Sequence, residues 1–117
     1  MAAEALIYRD SQRILFRVVC PLGKNIRITA RYWQNIITIK HPVVAGKESE
    51  ARRAVESPDL IRRSRSDPRV FLYYRKKMRY YMCVVARHQN GRGFIITAYR
   101  TDTIKEGELI WQRKTKK

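Results

Sequence analysis

Acidic side chains are scarce in this sequence: ten Asp and Glu stand against 26 Lys and Arg in 117 residues, a formal net charge of +16. The acids are scattered as Glu4, Asp10, Glu48, Glu50, Glu56, Asp59, Asp67, Asp102, Glu106 and Glu108. They form no carboxylate cluster of the kind that holds Mg²⁺ for two-metal phosphoryl chemistry. Cysteine is equally sparse. Cys20 and Cys83 each sit in an apolar run without CxxC or Cys/His ligand spacing, so both are expected to be reduced core residues. No segment approaches the roughly 20 consecutive apolar residues of a membrane span. Met1–Asp10 lacks the cationic start and long apolar stretch of a signal peptide. A cytoplasmic protein with no membrane association is the expectation. The absence of GxGxxG, GxxxxGK[ST] and GxSxG sets aside nucleotide-binding folds and hydrolase elbows, and no cofactor or metal is expected.

What is present is a basic surface carried by a fold. Hydrophobic residues make up 44% of the chain, enough for one domain over residues 1–117 with a core that needs no metal or disulfide staple. Between Leu60 and Gly93 ten Lys and Arg face one acid, Asp67, and are threaded through four tyrosines and strand-forming apolar runs. Cations held this close repel one another, and a polyanion relieves that repulsion, so nucleic acid is the expected partner.

The pattern predicts a hairpin first. Residues 13–20 are β-branched and aromatic, Pro21–Asn25 is turn material, and Ile26–Thr29 alternates. A helix comes next, with Thr29 as N-cap, Trp33, Ile36 and Ile37 at helical spacing, and Pro42 forcing an end near His41. Lys47–Ser57 reads as a second, shorter helix closed by Pro58. Strands are then expected at Leu60–Ser64, Val70–Arg75, Arg79–Arg87 and Phe94–Arg100, with a tight basic turn at Lys76-Lys77 and another at Asn90-Gly91. Lys105–Trp111 reads as an edge strand or a helical turn. Residues 1–25 read as an N-terminal addition and 112–117 as a disordered basic tail. The expected class is α+β, with two helices on one face of a four-stranded antiparallel sheet.

Three sets of residues could carry chemistry. His41, at the end of the first helix, could act as a general acid or base near neutral pH, or simply cap the helix dipole. In the last strand, alternation puts Ile95, Thr97, Tyr99 and Thr101 on one face. Its hydroxyls could bond phosphate oxygens, or line a solvated face. Arg62, Arg63, Lys77, Arg79 and Arg87 suit phosphate contact, and Tyr73 and Tyr81 suit stacking on unpaired bases.

In order, Ile26-Arg-Ile-Thr29, Trp33-Gln-Asn-Ile36, Lys40-His-Pro42, Ser57-Pro-Asp59, Tyr73-Tyr-Arg75, Met82-Cys-Val-Val85, Ile96-Thr-Ala-Tyr99 and Ile104-Lys-Glu-Gly107 form a series. This series resembles the small phage-type nucleases of the barnase, EndoU, colicin and RelE-like superfamily. The resemblance implies metal-independent RNA cleavage by a toxin restrained by an antitoxin protein. By motif position it implies His41 as the helix histidine, Arg75 as the strand cation, Thr97 and Tyr99 as the last-strand hydroxyls, and Lys105 as a further cation. Barnase-like members also pair a glutamate base with a second histidine; here only His88, expected in a turn, stands for it.

The expectation is therefore an endoribonuclease in which His41 accepts the 2′-hydroxyl proton, Arg75 and Lys105 clamp the phosphate, and Thr97 and Tyr99 donate hydrogen bonds. The alternatives are a non-catalytic RNA-binding module on the same basic sheet, and a protein-interaction domain that docks an acidic partner such as an antitoxin.

Overall fold

The computed structural model describes residues 13–104 and 107–114. Its elements are β1 (Ile14–Val19), β2 (Asn25–Thr29), α1 (Ala30–Asn35), α2 (Glu48–Glu56), β3 (Leu60–Arg63), β4 (Val70–Lys77), β5 (Tyr80–Gln89), β6 (Arg92–Thr101) and β7 (Glu108–Gln112). All the strands belong to one sheet in the order β1-β2-β6-β5-β4-β3-β7. The β2–β6 pair is parallel and every other pair is antiparallel.

The α+β class is correct, but the four-stranded antiparallel sheet is not. The β3–β6 meander is the centre of a seven-stranded mixed sheet. The N-terminal hairpin extends it on one side, where Asn25–Arg27 lies beside Arg92–Phe94. On the other side β7 pairs with β3. Both additions cover backbone edges that the meander alone would leave bare. Hairpin signals are local in sequence, whereas the β2–β6 pairing joins segments more than 60 residues apart, and no local pattern announces it.

Local chemistry explains most boundaries. The Thr29 hydroxyl accepts the Tyr32 N–H at 3.1 Å and starts α1. After Asn35 the helix widens into a π turn, Ile36–Lys40, in which the His41 N–H donates to the Ile36 carbonyl at 2.7 Å. Proline at 42 then keeps His41 out of the helical region, at φ −142° and ψ 76°, and opens a 3-10 turn, Pro42–Val44. The β4–β5 turn lies at Met78-Arg79, not at the lysines, because Lys76 and Lys77 pair with Tyr81 and Tyr80 and prolong both strands. Asn90 and Gly91, both at positive φ, make the β5–β6 turn.

One further correction concerns β6. The register shifts between Val85 and Ala86, leaving Ile96 as an extra residue. Thr97, Tyr99 and Thr101 keep a common face, but Ile95 turns to the opposite one and is buried in the core.

The two helices cover one face. Trp33, Ile36, Val44, Ala51, Ala54 and Val55 meet Ile26, Ile61, Met82, Val84, Ile95 and Ala98 there. The other face carries no helix among the described residues. Its centre is nonetheless dry, with Leu72, Tyr74 and Cys83 buried under Leu60, Tyr81, Val85, Tyr99 and Ile104. Strands β6 and β7 run the same way, so the connection between them must travel back along the sheet. Ile104 packs on this second cluster, and Arg62 Nη1 donates to the Gly107 carbonyl at 2.8 Å. At Gly107, with φ at +95°, a Cβ would lie 2.6 Å from the Arg63 carbonyl oxygen, so only glycine passes this closely. Lys105 lies outside the described residues.

Candidate functional site

The strand register arranges the helix-free face in rows. Across β1, β2, β6, β5 and β4 run Arg17, Arg27, Phe94, Arg87 and Val70. The next row holds Thr97, Val85, Leu72 and Arg62, and the one after it Tyr99, Cys83, Tyr74 and Leu60. Thr101, Tyr81 and Lys76 close the face. Cations thus ring a central patch of tyrosines and aliphatic residues.

His41 reaches this face from the side. Strand β2 leaves β6 after Phe94 to become α1, so the edge of β6 from Ile96 onward is free of strand pairing, and the π and 3-10 turns lie along it. The π turn supplies one more residue than an α-helical turn, which rotates the downstream residues by about 100°. Lys40 Nζ then lies 3.2 Å from the Ile96 carbonyl oxygen and 3.3 Å from the Tyr32 hydroxyl. The His41 ring lies 5.5 Å from the Tyr99 ring, centroid to centroid, tilted by 39°. Two residues 58 positions apart in sequence are joined by this geometry.

Tyr99 is fixed from below. Its hydroxyl hydrogen-bonds with Cys83 and Tyr74, and burial together with those neighbours raises its pKa above the ordinary tyrosine range, so it stays protonated. Burial pushes the Cys83 thiol up to about 12, against a smaller opposing effect from the two tyrosine hydroxyls. Cys83 is therefore a neutral thiol, not a nucleophile. Thr97 stands one row away, its Oγ1 buried and without a partner among the described residues.

The remaining candidates are dispersed. Arg75 points to the helix-covered face, where Nη1 donates to the Ser57 carbonyl at 2.5 Å and caps the C-terminal end of α2. It therefore lies across the sheet from Tyr99. Tyr73 is buried, so its ring is core and not a stacking platform. Its hydroxyl lies 2.6 Å from His88 Nε2 and 3.2 Å from Cys20 Sγ. His88 is a β5 residue, not a turn residue, and its ring stacks on Phe71 at 3.9 Å. Burial, aided by the Lys24 charge, pushes its pKa down to about 4.

Arg63 pairs with Glu108 at 2.6 Å and Arg87 with Asp67 at 2.9 Å. Asp67 is held below the usual carboxylate range, chiefly by the Arg69 backbone N–H, with Arg87 adding to the effect. Arg62, on the helix-free face, bonds Gly107 through Nη1, while its Nε is buried without a partner among the described residues. Lys77 and Arg79 are exposed around the β4–β5 turn. Tyr81 is half-buried on the helix-free face, with the Lys76 ammonium 5.4 Å from its ring centre.

Arg17, Arg27, Phe94 and Lys40 escaped sequence reasoning. The alternation of buried Ile26 and Ile28 with exposed Arg27 was a signal for Arg27. Nothing local placed Lys40 beside β6. Among the described residues no three His, Cys, Asp or Glu side chains converge to hold a metal ion. No helix among them is long and apolar enough to cross a membrane. Comparison of the chain with models of protein families, with curated proteins and with solved structures finds no match.

Proposed function

We propose that the protein binds RNA on the helix-free sheet face and cleaves it at the corner formed by His41 and Tyr99. The observation that carries this reading is the ring contact between these two side chains at the rim of a cation-ringed face. The ribose 2′-hydroxyl attacks the adjacent phosphorus in line and the 5′-oxygen leaves, giving a 2′,3′-cyclic phosphate. His41 takes the 2′-hydroxyl proton, and water protonates the departing 5′-oxygen, which becomes the 5′-hydroxyl of the second fragment. Lys40, adjacent in sequence and exposed, offsets charge that develops on the phosphoryl oxygens, while the Thr97 hydroxyl is buried one row away and contacts the substrate only if the neighbouring side chains move aside. Tyr99, anchored by Cys83 and Tyr74, holds the imidazole in place. Arg75 caps α2 in this scheme, and its effect on the reaction is indirect.

Exposed Ile39 and Val43 flank His41, so the same corner offers an apolar and basic patch to an acidic antitoxin protein that would cover the site. The resemblance to toxin nucleases motivates that part of the proposal.

The test is incubation of a mixed RNA with purified protein in excess EDTA, beside His41→Ala, Thr97→Val and a DNA control. The expected result is cyclic-phosphate ends from the parent protein, loss of cleavage in His41→Ala, and uncut DNA. Equal cutting of DNA would overturn 2′-hydroxyl attack. RNA that is bound but never cut would favour the second reading, a binding module. The row of Arg17, Arg27, exposed Phe94 and Arg87 supports that reading independently of His41.

A further inference from the structure

The helix-covered face carries a second basic site. Where α2 meets the turn end of β4 and β5, a cavity of about 80 Å³ is lined by Glu50, Arg53, Arg75, Lys76, Lys77 and Met82. On the same measure a water needs roughly 10–15 Å³, so the space is large enough for one tetrahedral oxyanion with part of its hydration shell. The Lys76 ammonium lies over Tyr81 on the opposite face, which leaves Arg53, Arg75 and Lys77 as the cations of the cavity. Arg100, opposite Met82 in the register, adds a fourth nearby charge, its guanidinium 4.8 Å from the Tyr80 ring centre.

Among the described residues one acid, Glu50, lines the cavity, and its charge is already engaged. Glu50 Oε1 accepts the Tyr80 hydroxyl at 2.8 Å, and Oε2 faces Lys47 Nζ at 3.5 Å. Asp59, three residues past the end of α2, accepts the Lys76 backbone N–H at 2.6 Å and pairs with Arg113. Arg75 spends Nη1 on Ser57 and keeps its other N–H groups for a ligand, in a guanidinium already oriented by that bond.

We infer that this cavity binds a phosphate group of the bound RNA, at a point distinct from the His41 corner and on the other side of the sheet. The inference rests on the proposal that the protein binds RNA. It implies that the strand passes around the β4–β5 turn, along exposed Lys77 and Arg79, from one face to the other.

Inorganic phosphate titrated into the full chain, followed by the side-chain N–H signals of Arg53 and Arg75, reads the cavity alone. Saturable shifts at both arginines that Lys77→Gln weakens about tenfold are expected, with no comparable response to acetate at equal ionic strength. RNA affinity, measured on oligonucleotides of increasing length, should fall about tenfold in an Arg53→Gln, Lys77→Gln variant for long strands and remain unchanged for the shortest. Both substitutions sit on exposed positions and leave the Arg75 cap in place. Unmoved arginine signals would overturn the inference, while cleavage at His41 would stand or fall by its own assay. Equal response to acetate would make this a carboxylate site for an acidic peptide and overturn it. Phosphate binding with RNA affinity unchanged in the variant would assign the cavity to a free phosphate ligand, which also overturns it.

Discussion

The molecule contains two histidine–tyrosine pairs, and they differ in everything except composition. Tyr73 and His88 lie deep on the helix-covered side, hydrogen-bonded at 2.6 Å, with Phe71 stacked on the imidazole and Cys20 at the far side of the hydroxyl. Tyr99 and His41 meet at the rim of the other face, ring against ring, with the tyrosine hydroxyl directed to Cys83 and Tyr74. In the first pair the imidazole nitrogen is committed to a neighbour and screened from water. In the second the tyrosine is committed and the imidazole is half-exposed. Residue type therefore decides little about role. What matters is which member of the pair has its polar atoms engaged, because an imidazole with a buried, occupied nitrogen cannot exchange protons with a substrate.

The largest expected effect falls on the buried pair. Tyr73→Ala removes a large core ring and strands His88 and Cys20, so unfolding free energy should drop by about 3–5 kcal/mol in denaturant titration. A drop below about 1 kcal/mol would mean that the core is looser there than its packing implies.

The pairs should also separate by pH. His88 titrates near 6.5 when unfolded and at about 4 when folded, so the folded state resists protonation. Its contribution is complete above pH 6.5 and is lost as pH falls toward 4, about 3 kcal/mol in all at 1.36 kcal/mol per unit. Stability measured across that window should flatten in His88→Gln and keep its slope in His41→Ala. An unchanged slope in His88→Gln would assign the acid sensitivity to other groups.

On activity the order reverses. His41→Ala should lower RNA cleavage by about 100-fold, the lower end for loss of a general base, while costing stability under about 1 kcal/mol. Equal cleavage by His41→Ala and the parent would remove the distinction between the two pairs. The smallest effect concerns how His41 is presented. Thr29→Ala deletes the α1 N-cap and should cost about 1 kcal/mol, read as a shift in the denaturation midpoint, without altering the products of cleavage.

Much of the local architecture is written in the chain. Thr29 and Pro42 bound the first helical segment, Pro58 follows the C-cap Ser57 of the second, and Asn90-Gly91 turns the β5–β6 hairpin, each through backbone chemistry that acts within a few residues. The burial of Cys20 and Cys83 was legible from their apolar surroundings. The bulge at Ile96 was not, since strict alternation is what a sequence offers and a register shift depends on the partner strand. Nor could alternation tell that Tyr73 is core while Tyr81 is partly exposed, because the covering helices come from elsewhere in the chain.

By itself the sequence determined the charge, the α+β class, the order of most elements and the candidacy of His41, because these arise from composition and short-range periodicity. The tertiary structure decided which of those candidates meet. It brought His41 to Tyr99, sent Arg75 to the opposite face, took His88 out of contention and merged hairpin, meander and tail into one sheet. Those outcomes depend on pairing between distant strands and on one additional residue in a helical turn. Their energies arise only when the whole chain packs, so no window of sequence contains them.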